Sequence, residues 1–112
     1  MGNRNVSHGL LPGTLEMLVL KTLTHGPTHG YGIAQHIQGV SDDVFHLSEG
    51  SLYPALRRLL VKGWVTADWG VSENNRRARF YKLTPAGCTQ LGAEAAKFAR
   101  VAGAIARLMQ TP

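Results

Sequence analysis

The fold is decided by the stretch from Ser48 to Thr84, which reads SEGSLYPALRRLLVKGWVTADWGVSENNRRARFYKLT. The first part of this stretch repeats apolar residues at helical spacing, and they would form one buried face from Leu52, Leu56, Leu59 and Leu60. Ser48 is a favourable N-cap and Gly63 is a favourable terminator. We therefore predict a helix from Ser48 to about Lys62.

After Gly63 the spacing of apolar residues changes from helical to alternating. The segments Trp64 to Trp69 and Arg79 to Thr84 are rich in β-branched and aromatic residues, and the intervening Gly70 to Ala78 is polar. This pattern predicts a β-hairpin with a long loop. Because two strands alone are marginally stable in water, we expect the hairpin to pack on the helices.

Two further helices are predicted before this stretch. Apolar residues recur at helical spacing after Pro12-Gly13 as far as Leu23, and Gly26-Pro27 then ends the pattern. A second, short helix fits Tyr31 to Gln38, and the polar Ser41-Asp42-Asp43 predicts a turn.

A long last helix begins with Pro85 behind the predicted N-cap Thr84. Its apolar residues recur at alternating spacings of four and three, which is a heptad seam, and they are Leu91, Ala95, Phe98, Ala102, Ile105 and Met109. A domain this small cannot bury the whole seam. We therefore expect the seam to meet a second copy of the chain as a homodimer interface.

These elements predict an α+β fold that is mostly helical, namely a winged helix-turn-helix with a C-terminal dimerisation helix. The chain of 112 residues has the size of one domain with an extension. We divide it into a flexible N-terminal segment at 1–11, a winged-helix domain at 12–84 and a dimerisation helix at 85–112.

The distribution of charge indicates a polyanionic partner. The chain carries a formal net charge of +5, and the stretch from Ser48 to Thr84 holds seven basic residues against three acidic ones. A concentrated cationic patch favours binding of nucleic acid, since each phosphate that is neutralised releases condensed counterions. A solvated surface is the alternative that charge alone leaves open.

The outward side of the third helix and the tip of the hairpin provide the candidate contacts to double-stranded operator DNA. The helix offers Ser51, Tyr53, Pro54, Arg57, Arg58 and Lys62, and the hairpin offers Asn75, Arg76, Arg77 and Arg79. We expect Tyr53, Arg57 and Arg58 to contact phosphates, and the hairpin residues to reach either phosphates or a minor groove. Pro54 lies beyond the first turn of the helix, so we also expect either a kink or a start nearer Ser51.

The sequence resembles the PadR family of transcriptional regulators over nearly its whole length. The most specific stretches are Ser51-Leu52-Tyr53-Pro54-Ala55-Leu56 and Tyr81-Lys82-Leu83-Thr84, followed by Gly87. The resemblance implies a homodimeric repressor with its recognition helix at Gly50 to Lys62 and its wing at Ser72 to Ala78. It also implies release from DNA by a small aromatic or cationic effector or by another signal.

Phe98 is the one large aromatic residue of the seam and has two interpretations. It packs the dimer core, or a pair of Phe98 side chains lines a central ligand pocket, as the resemblance to drug-binding relatives implies. The sequence identifies no effector.

Several other classes of protein are disfavoured. The chain has no catalytic triad pattern, no phosphate-binding glycine loop and no HExxH motif, so we predict neither an enzyme nor a cofactor. The histidines lack a three-ligand pattern on one helix, so we predict no metal site. No apolar run is long enough to cross a membrane, and a lone cysteine suits the cytoplasm. A winged helix that contacts protein or RNA remains the rival interpretation.

Overall fold

The computed structural model describes residue 10 and residues 12–112. The predicted flexible segment at 1–11 lies outside the described residues except for Leu10, which packs against the hydrophobic core. The winged-helix region at 12–84 and the C-terminal helix at 85–112 both lie within the described residues.

The described residues form four helices and three strands. In chain order these are α1 (Pro12–Leu23), β1 (Thr28–His29), α2 (Gly30–Val40), α3 (Glu49–Val61), β2 (Val65–Val71), β3 (Arg77–Leu83) and α4 (Pro85–Gln110). The strands form one antiparallel sheet in the order β1-β3-β2. This mostly helical α+β architecture confirms the predicted fold class.

Helix α3 begins where Ser48 caps it. The Ser48 side chain accepts a hydrogen bond from the backbone N–H of Ser51, and Pro54 lies inside the helix. A helix start nearer Ser51 is therefore wrong. Gly50 is exposed, so water can solvate the carbonyl oxygen that would otherwise accept from an N–H at position 54.

The hairpin is more regular than predicted. Strand β2 continues to Val71 and β3 begins at Arg77, so the predicted long loop from Gly70 to Ala78 is wrong. The turn is closed by a hydrogen bond of 2.8 Å from the Ser72 N–H to the Arg76 carbonyl oxygen. The prediction was wrong because it took this polar segment for a loop. Near its tip the ribbon faces water on both sides, so the strands there do not require apolar residues.

Strand β1 was not predicted at all. It contains only two residues, which pair with Tyr81 and Phe80 of β3. A strand of this length shows no alternating pattern, so its sequence carries no strand signal. Its pairing places β3 in the centre of the sheet and brings the start of α2 beside the hairpin.

One hydrophobic core lies between α1, α2, α3 and the base of the sheet. The leucine face of α3 is buried there as predicted, except that Leu60 is only partly buried. The most completely buried side chains are Leu20, Ile33, Leu56, Leu59, Val19 and Val65. Burial of this leucine face turns the other side of α3 toward solvent.

Thr84 joins the hairpin to α4. Its hydroxyl donates to the Gly63 carbonyl oxygen at 2.8 Å and accepts from the Gly87 N–H at 3.0 Å, which confirms the predicted N-cap. A Cβ atom added to Gly87 would lie 2.1 Å from the Trp64 carbonyl oxygen. The helix and the hairpin can therefore approach this closely only with glycine at position 87.

Replacing Gly87 with alanine should lower the free energy of unfolding by about 2 kcal/mol, because the methyl group must displace the Trp64 backbone. Gly92→Ala is the matched control, since it lies in the same helix and an added Cβ meets nothing within 4 Å. The control should raise the free energy of unfolding by about 0.5–1 kcal/mol. Urea unfolding measures both changes, and equal effects of the two substitutions would contradict the described contact.

Candidate nucleic-acid interface

Helix α3 presents two polar stripes on its outward side. Tyr53, Pro54 and Arg57 are exposed along the first stripe. The second stripe carries Arg58 and Lys62. Ser51 lies half-buried at the cap, where its hydroxyl is 3.1 Å from that of Ser48. The two stripes have different surroundings, although the sequence analysis placed all of these residues in one set of candidate DNA contacts.

Arg58 and Lys62 share an acidic partner within the fold. The Arg58 Nε donates to Oε2 of Glu16, and the Lys62 Nζ lies 4.0 Å from Oε1 of the same carboxylate. Glu16 is buried on α1, and its negative charge is stabilised by these two cations. The ion pairs tie α3 to α1, and contact of Arg58 or Lys62 with DNA stays a prediction.

Tyr53 lies where α3 meets the start of α2. Its ring covers Gly30 so closely that an added Cβ there would lie 2.4 Å from the Tyr53 hydroxyl oxygen. Partial burial, and then the nearby Tyr81 and Glu49, raise the pKa of Tyr53 above its ordinary value. The hydroxyl therefore stays protonated well above neutral pH and is able to donate to an anion, while 44% of the residue remains exposed.

The arginines of the hairpin divide between its tip and its face. Asn75 and Arg76 lie exposed in the turn, and Asn75 has a left-handed backbone with φ of 58°. Arg77 and Arg79 lie on β3, two residues apart, so their side chains share one face of the sheet. The wing thus carries cations both at its end and along its side.

A groove separates α3 from this face of the hairpin. Tyr53 and Arg57 lie on its helix side, and Arg77 and Arg79 lie on its hairpin side. The structure thus brings together four of the ten predicted DNA-binding residues. Of the others, Arg76 lines a neighbouring depression at the tip of the wing.

Two aromatic residues of this region were missed by the sequence analysis. Trp69 lies on β2 and also lines the groove, with 60% of its surface exposed. Tyr31 lies at the start of α2, where its hydroxyl accepts from the Gln35 side chain. Only the observed register identifies Trp69, because Arg79 is its directly opposite residue on β3.

His29 connects the start of α2 with the tip of the wing. Its Nδ1 accepts from the Gly32 N–H at 3.0 Å, and its Nε2 lies 3.5 Å from Oε1 of Glu73. Hydrogen bonds from the backbone of Glu73 and from His29 lower the pKa of the exposed Glu73 carboxyl. This contact links the turn of the hairpin to the start of α2.

The predicted dimer seam is largely uncovered. Leu91 packs against the core, whereas Phe98, Ile105 and Met109 are 52%, 54% and 79% exposed. Ala95 is exposed and Ala102 is half-buried. Phe98 lines a shallow groove between α1 and α4 together with Met17 and Val101. An apolar face therefore runs along the outer half of α4.

Among residue 10 and residues 12–112, no helix is long and apolar enough to cross a membrane. The same residues contain no group of three or more histidine, cysteine, aspartate or glutamate side chains placed to hold a metal ion.

The chain matches a family model over residues 19–93, and that model describes the transcriptional regulator PadR-like family. It is 43% identical over 90 residues to a 37.1 kDa protein in transposon TN4556 of Streptomyces fradiae, covering 80% of this chain but only 24% of that protein. A transcriptional regulator from Clostridium thermocellum superposes with a TM-score of 0.77 at 25% identity, covering 85% of this chain and 92% of the other.

A PadR-like transcriptional regulator from Bacillus cereus superposes with a TM-score of 0.76 at 23% identity, covering 89% of this chain and 95% of the other. That likeness shows a shared fold over most of the chain. The family comprises transcriptional regulators and not enzymes. The family model covers more than half of the residues of this chain, and the chain therefore belongs to the PadR-like family of transcriptional regulators.

Proposed function

We propose that the chain binds double-stranded operator DNA as a homodimer, represses transcription in the cytoplasm and is released by a small aromatic or cationic effector or another signal. The main support for DNA binding is the groove between α3 and the hairpin. There the Tyr53 hydroxyl, Arg57, Arg77 and Arg79 converge from two elements.

This arrangement suits duplex DNA because the exposed side of a helix lies beside a basic β-ribbon. A helix fits the major groove, and the flanking cations can neutralise phosphates on the adjoining backbone. The wing tip with Asn75 and Arg76 extends past the groove and is able to reach a neighbouring phosphate or the minor groove. Ser51 and Pro54 near the start of α3 are our candidates for setting operator preference.

Homodimer formation is supported by the uncovered face of α4. The helix contains 26 residues and is about 39 Å long. Its exposed apolar residues, Phe98, Val101, Ile105, Leu108 and Met109, would be buried against the same face of a second copy. Two winged helices held in this way would bind the two halves of a pseudo-palindromic operator.

The groove beside Phe98 supports an effector site. Its lining combines apolar Met17, Phe98 and Val101 with the charged Glu94 and Lys97. A small aromatic cation would gain stacking on Phe98 and attraction to Glu94. Because this groove adjoins the proposed dimer face, occupancy is able to change the spacing of the two winged helices.

The wing variant Arg76→Ala/Arg77→Ala should weaken binding to all duplex sequences alike, because phosphate contacts position the protein without reading bases. It should also flatten the slope of log K against log salt by about 2 to 4 units per dimer, since each lost phosphate contact removes about 0.9. Fluorescence anisotropy titrations of labelled duplexes at several salt concentrations measure both effects.

The matched control is Arg100→Ala/Arg107→Ala, which removes the same formal charge from the side of α4 opposite the seam. This control should keep the parent slope. A wing variant with full affinity at physiological salt would show that the wing does not contact DNA. Preference of the parent chain for RNA or for single strands would refute the duplex proposal.

Ile105→Asp should dissociate the dimer, because each subunit would place one carboxylate in the shared apolar seam without a cationic partner, at a cost of several kcal/mol. Loss of the dimer should also lower operator affinity, since two linked half-sites bind with a high effective concentration. Sedimentation beside an operator titration measures both properties.

Ala96→Asp is the matched control, because residue 96 is exposed on the side of α4 away from the seam. It adds the same charge and should leave both the dimer and the affinity unchanged. A folded Ile105→Asp monomer that binds its operator as tightly as the parent chain would contradict the proposed assembly.

A further inference from the structure

We propose that Trp69 is a positioning residue that holds Arg77 and Arg79 at the groove between α3 and the hairpin, with their N–H groups free for DNA phosphates. This inference rests on the proposed function, because it holds that the restrained side chains of Arg77 and Arg79 serve DNA binding. It concerns a residue that the charge pattern does not identify.

The hairpin register places the three side chains on one face. Trp69 lies directly opposite Arg79, and the next pair toward the tip is Val71 with Arg77. The Arg77 guanidinium carbon lies 4.5 Å from the centre of the Trp69 ring, and that of Arg79 lies 6.0 Å from it. Arg79 is also 5.9 Å from the Tyr81 ring. Each arginine is therefore within the range of a cation–π contact.

Core packing does not explain a tryptophan at this position. The same face of the hairpin is buried at its base, where Val65 and Tyr81 are 2% and 5% exposed. Ala67 is half-buried, and Trp69 lies beyond it with most of its surface in solvent. A large ring with 60% of its surface exposed contributes little to the hydrophobic core, whereas both arginines lie within cation–π range of it.

A cation–π contact leaves an arginine able to bind phosphate. A guanidinium group contacts an aromatic ring with its flat face, whereas its five N–H donors point outward in the plane of the group. The negative face of the indole ring also offsets the repulsion between two neighbouring cations. Trp69 thus restrains Arg77 and Arg79 without occupying the atoms that would bind DNA.

The position of these cation–π contacts determines what the arginines can reach. Arg57 and Tyr53 lie on the other side of the same groove. A phosphate that enters from solvent would meet cations from both sides. Because ordering a long side chain on binding carries an entropic cost, arginines that are already held in place bind more tightly than free ones.

A double-mutant cycle tests this role. Trp69→Leu keeps an apolar side chain but removes the aromatic face, and it should weaken duplex binding by roughly tenfold. The same substitution made in an Arg77→Ala/Arg79→Ala background should change the affinity less than twofold, because the partners of the ring are absent. A change of that size is about the deviation expected between independent sites. Trp69→Phe restores an aromatic face and should recover most of the affinity.

Val71→Ala is the matched control, since Val71 lies exposed on the same strand and face. It should leave duplex affinity unchanged. A second measurement does not involve DNA. In proton NMR spectra the ring current of Trp69 should shift the side-chain protons of Arg77 upfield in the parent chain, and Trp69→Leu should abolish the shift.

Additive effects of Trp69→Leu and the arginine substitutions on affinity would overturn the inference, because Trp69 would then act on its own. Absence of the ring-current shift in the parent chain would also overturn it, even if duplex binding is strong. A parent chain that shows the shift but binds no duplex would instead refute the proposed function, and this inference with it.

Discussion

Burial of Leu52, Leu56 and Leu59 against α1 and the sheet fixes the rotation of α3 about its axis. With this face turned inward, Tyr53 and Arg57 must face solvent. The ion pairs of Glu16 with the second stripe of α3 hold the same rotation from the side. The candidate interface is thus a consequence of core packing, since no other rotation of α3 would bury its leucines.

The alternation of side chains along the hairpin provides the other half of the interface. Because the face of Val65 and Tyr81 is buried at the base of the sheet, residues of the same face farther out must lie beside α3. The ones that line the groove are Trp69, Arg77 and Arg79. The short strand β1 keeps the ribbon close to the helices through its pairing with β3. Core burial and cation placement are therefore linked through one sheet register.

Much of this fold is predictable from the residues, and the failures have physical causes. The caps Ser48 and Thr84 and the leucine spacing of α3 are local signals, and the predicted bounds of that helix agree with the structure. The hairpin turn was misplaced because its strands are polar near the tip, and β1 is too short to carry a pattern. Partners distant in sequence, such as Glu16 for Arg58, are set only by tertiary packing.

The proposed function requires that α3 and the wing bind DNA as a two-fold assembly. Hydroxyl-radical footprinting tests this proposal most directly, on duplex fragments that the chain selects from its own genome. The account predicts two symmetric clusters of protected sugars, centred about 34 Å apart or a multiple of that distance. A single asymmetric cluster, or protection confined to single-stranded DNA or RNA, would contradict it.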